Sequence, residues 1–224
     1  MTLTLTAASG TATALDDGGA VIALDEPFPF YGNNAESLVV SSNGYVAFAD
    51  ALGSENGGDF SNDAYLPAVP DNAPAASARI AVYHDELNGE GAGSSLRKGY
   101  FANCPRASGV IEDEACTVVQ WRNWARAGST GTLDVDLVLY HGSGAIATQY
   151  IAVDSSAGAS ACVGIQDATA SDGGAWSCCS ETQGENGAAS CSNVKTIVPA
   201  SAVCFYDPAN PPVFDVIFAD GFDS

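Results

Sequence analysis

The sequence predicts an all-β protein, an antiparallel two-sheet β-sandwich with long Gly/Asn/Asp-rich loops and disulfides. Three observations predict it. Short runs of β-branched, aromatic and alternating residues recur along the chain, separated by Gly, Asn, Asp, Ser and Pro. No run shows the 3.6-residue apolar period of a helix, and no long internal repeat is present. Seven cysteines stand against two lysines, a profile foreign to reducing compartments. With 224 residues, 46% of them hydrophobic and 15% charged, the chain is long enough to bury a substantial core. Two sheets packed face to face are the economical way to do so.

The opening TLTLT alternates as a half-buried strand should, and AVIAL at 20–24 follows the turn signal DDGG. Residues 37–50 read as a hairpin joined at Ser42, Asn43 and Gly44, where Asn-Gly supplies the positive φ of a type I′ turn. Strands are predicted at 78–87, 116–124, 132–141, 145–153 and 161–167. In 132–141, Leu133, Val135, Leu137 and Leu139 share one side, with Asp134 and Asp136 on the other. The Gly-containing loop after it predicts a second hairpin. Residues 51–77 form a loop too long for a tight turn, and long ordered loops are often functional. Tyr45, Phe48 and Tyr83 are expected in the core. Residues 1–206 are expected to form a single β-sandwich domain and 207–224 an extended C-terminal tail.

Twenty-seven acidic residues against seven basic ones give a formal net charge of −20. Repulsion of that size argues against nucleic acid or anionic lipid as partner. Arg97, Lys98, Arg106, Arg122 and Arg126 fall in one stretch; they either gather on a face that meets an acidic neighbour or pair with local carboxylates. No apolar stretch is long enough to span a membrane, and the segment after Met1 lacks the basic and apolar regions of a signal peptide. A secreted product therefore implies a leader already removed.

Cys104 and Cys116 flank a loop of a length that a disulfide closes well, worth about 3 kcal/mol of constraint on the unfolded chain. Cys162, Cys178, Cys179, Cys191 and Cys204 form a second group. A bridge between the adjacent Cys178 and Cys179 would be strained, so each is expected to find another partner, with Cys191 and Cys204 as candidates. Six of the seven can pair and one is left over. Zinc is disfavoured, because neither His84 nor His141 lies at finger spacing from a cysteine pair.

FPFYG (28–32), LVVSSNGYVAF (38–48), IAVYHDEL (80–87), VVQWRNW (118–124), VLYHGSGAIATQY (138–150) and CVGIQD (162–167) follow one another in a recognisable order. In that order they resemble the nidogen-like β-sandwich domains of bacterial secreted proteins. The ending VIFADGFDS is similar to short tails that close many secreted proteobacterial proteins. The resemblance implies secretion or display on a bacterial cell surface, beside a peptidase or within large adhesin-like proteins, and supplies no catalytic set.

The residues themselves agree with that silence. With only His84 and His141 available, no GxSxG, HExxH or SxxK arrangement occurs. Calcium is the best chemical candidate among cofactors. Asp85, Glu86, Asn88 and Glu90 lie on a strand end and turn, and Glu55, Asp59, Asn62 and Asp63 on a second loop. Both supply the hard oxygens calcium takes, though neither has the EF-hand register. The plainer reading is turn chemistry. Trp121, Trp124 and Trp176 could form a sugar-stacking platform. In a regular strand Trp121 and Trp124 face opposite ways, which makes one of them core and Trp124 the candidate ligand-binding residue.

The expectation is a non-catalytic extracellular structural or adhesive protein, partnered by itself or by other extracellular proteins and glycans. TLTLT and VFDVIFA are candidate strands for addition to a neighbour's sheet. The alternative is an accessory carbohydrate- or protein-binding domain of a secreted hydrolase.

Overall fold

Alternation in sequence becomes two faces in space. In the strand Leu133–Tyr140, Leu133, Val135, Leu137 and Leu139 all enter one core, while Val138 and Tyr140 on the other face join a smaller cluster. The computed structural model describes residues 1–8, 13–61, 66–70, 76–104, 114–129, 131–153, 161–177 and 197–209.

Among these residues are thirteen strands and no helix. They are β1 (Thr6–Ala7), β2 (Gly18–Phe30), β3 (Asn33–Ser41), β4 (Tyr45–Ala47), β5 (Arg79–His84), β6 (Leu87–Asn88) and β7 (Ser95–Phe101). There follow β8 (Cys116–Arg126), β9 (Leu133–Tyr140), β10 (Ile146–Ala152), β11 (Cys162–Gln166), β12 (Gly173–Ser177) and β13 (Ser201–Phe205). One sheet runs β1-β2-β3-β4-β5-β11-β12, the other β13-β10-β9-β8-β6 with β7 also on β8. The pairings are antiparallel. The protein is an all-β two-sheet sandwich. No helix among the described residues is long and apolar enough to cross a membrane.

The core between the sheets is completed by polar tips that reach across it. Trp121 Nε1 donates to the Ser41 carbonyl at 2.9 Å, Trp124 Nε1 to the Ser42 carbonyl at 2.8 Å, and the Tyr150 hydroxyl to the Val82 carbonyl at 2.7 Å. Each buries a large ring without stranding its donor.

The β3–β4 hairpin forms where expected, with a different turn. Three residues separate the strands, and of these only Gly44 has positive φ (74°). This is a three-residue loop ending on a left-handed glycine, not a type I′ turn. A side chain at Gly44 would collide with the Tyr83 carbonyl, since Gly44 O accepts from both Val82 N and Tyr83 N. The two-residue geometry is found instead at the β2–β3 turn, where Tyr31 (φ 46°) and Gly32 (φ 77°) are both left-handed.

The opening segment stays with its own chain. Thr2 bridges Arg97, Leu3 N donates to Leu96 O, and Leu3 and Leu5 are buried. This corrects the expectation that TLTLT is free to add to a neighbour; VFDVIFA lies outside the described residues. Strands β7, β12 and β13 were not legible in the sequence. Arg97, Lys98 and Gly99 interrupt the apolar pattern of β7, and GGAWS and SAVCF are short edge segments with little to bury.

Candidate functional site

The β2–β3 turn, the β9–β10 turn, the β11–β12 hairpin and the exit from β13 meet around a cleft of ≈ 840 Å³. It opens where β12 and β13 end their respective sheets. Its size falls within the range of small-ligand sites.

Local chemistry fixes each wall. Asp167 organises the β11–β12 turn: its carboxylate accepts from Ser171 N (2.8 Å), Asp172 N (3.1 Å) and the Thr169 hydroxyl (2.5 Å). Those hydrogen bonds, led by the one from Thr169, hold it well below the usual carboxylate range. The turn delivers Asp172 and Trp176 to the cleft, and the chain leaving β13 delivers Tyr206 and Asp207. Trp176 is 41% exposed, Tyr206 44% and Tyr31 36%. Tyr31 owes its direction to the left-handed backbone of its turn, a conformation uncommon in residues other than glycine. Burial, with the nearby Asp172 and Asp167 charges, pushes its phenol up to about 12. It therefore stays a neutral hydroxyl throughout the physiological range.

A second polar constellation lies on the outer face of the first sheet, under residues of the 51–77 loop. Arg79, Glu55, Asp59, His84 and Tyr45 are all buried there. Arg79 Nη1 donates to Asp59 Oδ2 at 2.7 Å, Nη2 lies 3.8 Å from Glu55 Oε2, and the guanidinium sits 4.8 Å from the Tyr45 ring centre. Glu55 accepts from the Tyr45 hydroxyl and from Gly57 N and Ala76 N, each at 2.8 Å. His84 Nε2 donates to the Asp59 carbonyl at 3.0 Å. Burial lowers the His84 pKa; burial raises Asp59, but His84 and Arg79 outweigh it and leave the carboxyl low.

A family model described as NIDO related matches residues 2–206. The chain belongs to the NIDO-related family. No curated protein and no solved structure matches it significantly.

Within this NIDO-related domain, several expected site residues have other roles. Trp124 is fully buried, which corrects its assignment as an exposed ligand-binding residue. The cause is a bulge. Trp121 pairs with Val135 but Trp124 with Leu133, so β8 carries one residue more than β9 across this interval. Asn123 (φ 56°) absorbs the extra residue, with its N–H donating to Asp134 Oδ1 and its Nδ2 to the Ala92 carbonyl, both at 2.6 Å. The slip turns Trp124 to the same side as Trp121.

The proposed calcium ligands do not converge. Asp85 is buried against Arg126 (3.1 Å) and accepts from Glu86 N. Asn88 donates to Asp16 and accepts from Glu90 N, which is turn chemistry. Gly89 in the same loop gives space to Trp124, whose ring a Cβ would strike. Glu55 and Asp59 are both engaged by Arg79; Asn62 and Asp63 lie outside the described residues. Among the described residues no group of three His, Cys, Asp or Glu side chains could hold a metal.

Three of the basic residues pair with carboxylates, Lys98 with Asp25, Arg122 with Asp136 and Arg126 with Asp85, the first and last brought together by the fold across 73 and 41 residues, while Arg97 Nε donates to Ser95 Oγ. Arg106 lies outside the described residues. Cys104 and Cys116 are bonded as expected, and Cys162 is also disulfide-bonded. Cys178, Cys179 and Cys191 lie outside the described residues. Cys204, a candidate partner for the adjacent pair, is a free thiol: β13 sets it opposite Ala147, against the small cluster on the outer face of the second sheet.

The sequence offers Trp176 for sugar stacking but does not single out the cleft's other walls. The available signals were the tyrosine before glycine in FPFYG and a tryptophan in the otherwise small and polar SDGGAWS.

Proposed function

We propose that this domain is a non-catalytic extracellular module with a structural and adhesive role. The observation that carries the reading is the way its reactive side chains are engaged. His84 is locked to the Asp59 backbone, and His141 holds Thr117 through Nε2 (2.9 Å) and the Pro27 carbonyl through Nδ1 (3.3 Å). Asp136 accepts from Arg122 at 2.6 and 2.9 Å. These groups fix the scaffold, and disulfides at Cys104–Cys116 and Cys162 suit an oxidising compartment. Fractionation of producing cells tests it. The full chain is expected in the medium or on the cell surface with Cys104–Cys116 oxidised, and beads coated with it should adhere to those cells. Reduced protein in the cytoplasm, or turnover of ester, peptide or glycoside substrates, would overturn the reading.

The accessory-domain role beside a secreted hydrolase is favoured by a different observation, the exposed aromatic cleft. A hydrolase that co-purifies with the secreted chain and loses activity on insoluble substrate without it would select that role.

A further inference from the structure

We propose that the cleft between β12 and β13 is a glycan-binding site, with Trp176 and Tyr206 as stacking surfaces and Asp172 and Asp207 as hydroxyl acceptors, selective for neutral or amino-sugar chains. This deepens the reading of the domain as a binding module and rests on it.

The choice of ligand follows from three features. The cleft joins flat apolar faces to the carboxylates of Asp172 and Asp207; Asp207 Oδ1 accepts from Ala209 N at 2.8 Å, and a purely apolar ligand would desolvate the acceptor capacity that remains. Sugars present the matching combination, an apolar ring face bordered by hydroxyl donors. The Tyr31 hydroxyl adds a neutral group able both to donate and to accept. Finally, Asp172 and Asp207 at the site and a net charge of −20 on the chain repel uronate- or sulfate-bearing polymers and attract protonated amino sugars. The opening between two sheet edges suits a chain that lies across the domain, rather than a molecule sealed inside it.

The protein carries its own reporter. Trp121 and Trp124 are fully buried, and Trp176 is the exposed member of the three tryptophans. Binding is expected to produce a saturable change in tryptophan emission when the full chain is titrated with β-1,4-glucan, chitin-derived or glucosamine oligomers. Polygalacturonate oligomers of the same length should bind at least about tenfold more weakly. By calorimetry, Trp176→Ala and Tyr206→Ala should each weaken binding about tenfold or more, with Trp176→Phe partly restoring it. Phe101→Ala, which removes an exposed ring outside the cleft, should have no effect.

The assignment is overturned if none of the neutral or amino-sugar oligomers gives saturable binding, if polygalacturonate binds as well as they do, or if the cleft variants bind like wild type. Failure here, in a secreted protein that still adheres to cells, would leave the proposed function standing without this site. Saturable binding with release of new reducing ends, lost in Asp172→Asn or Asp207→Asn, would keep the site and overturn the non-catalytic reading.

Discussion

The outer face beneath the 51–77 loop and the cleft between β12 and β13 use similar chemistry, aromatic rings beside carboxylates, in opposite ways. Under the loop, Glu55 and Asp59 are withdrawn from water and matched by Arg79, Tyr45 and His84, so that each oxygen named serves as an anchor. At the cleft, Trp176 and Tyr206 stand exposed beside Asp172 and Asp207. A buried carboxylate must be paired, whereas an exposed one can hold a turn, as Asp167 does, or offer an oxygen to a ligand. A motif of acidic residues in the sequence does not say which of the two it will become.

The largest effect should come from unpairing the buried cluster. Arg79→Met removes the cation and leaves two buried carboxylates uncompensated, a loss of about 3–5 kcal/mol of unfolding free energy, read from denaturant curves. A change under 1 kcal/mol would mean that the cluster is not the anchor of this loop. The tryptophans provide a contrast of nearly equal size. Trp124→Ala empties a fully buried site and strands the Ser42 carbonyl, at a cost of about 3–5 kcal/mol. Trp176→Ala should change stability by less than about 0.5 kcal/mol. Similar losses in both variants would dissolve the distinction between the two regions.

That contrast also shows what the sequence made legible. Runs of β-branched and aromatic residues bounded by turn residues located β2, β3, β5, β8, β9, β10 and β11, and in β9 alternation also named the core-facing side. Trp124 defeated the same rule, since one extra residue at Asn123 reverses every side chain beyond it and a bulge leaves no mark in the pattern. The acidic loops were legible as polar turns but not as ion pairs, because Arg79 lies 20 residues beyond Asp59 and reaches it only through the fold. The cleft is assembled from four separated segments. Its aromatics could be seen one at a time, and their meeting could not.

A smaller effect is expected from pH. The folded-state pKa of His84 lies below its usual 6.5, so the unfolded chain binds the extra proton first. The contribution is fully present above pH 6.5 and is lost as pH falls toward the folded value. Asp59 is also low in the folded state, and its contribution is present above 3.8 and lost below it. Both terms make the buried cluster weaken on acidification. His84→Gln should flatten the fall in thermal midpoint that begins below pH 6.5, while Tyr206→Ala should leave it intact. A wild-type midpoint that rises in that window would contradict the assignment.

The smallest effect sharpens the comparison from the cleft side. Cys204 lines the cleft as a free, half-buried thiol, and burial pushes its pKa above the usual 9.0. Alkylation of the native, unreduced protein should label Cys204 slowly at neutral pH, at a rate still climbing beyond pH 9, because the thiolate is the reacting form. Peptide mapping identifies the labelled residue. A bulky maleimide there should alter Trp176 emission, whereas a methylthio group should not, since the two differ in how much of the cleft they fill. Stability should move little in either case, because the modified side chain lies at an edge strand outside the inter-sheet core. A label that unfolds the domain instead would place Cys204 with the anchors, and the boundary between scaffold and cleft would have to be redrawn along β13.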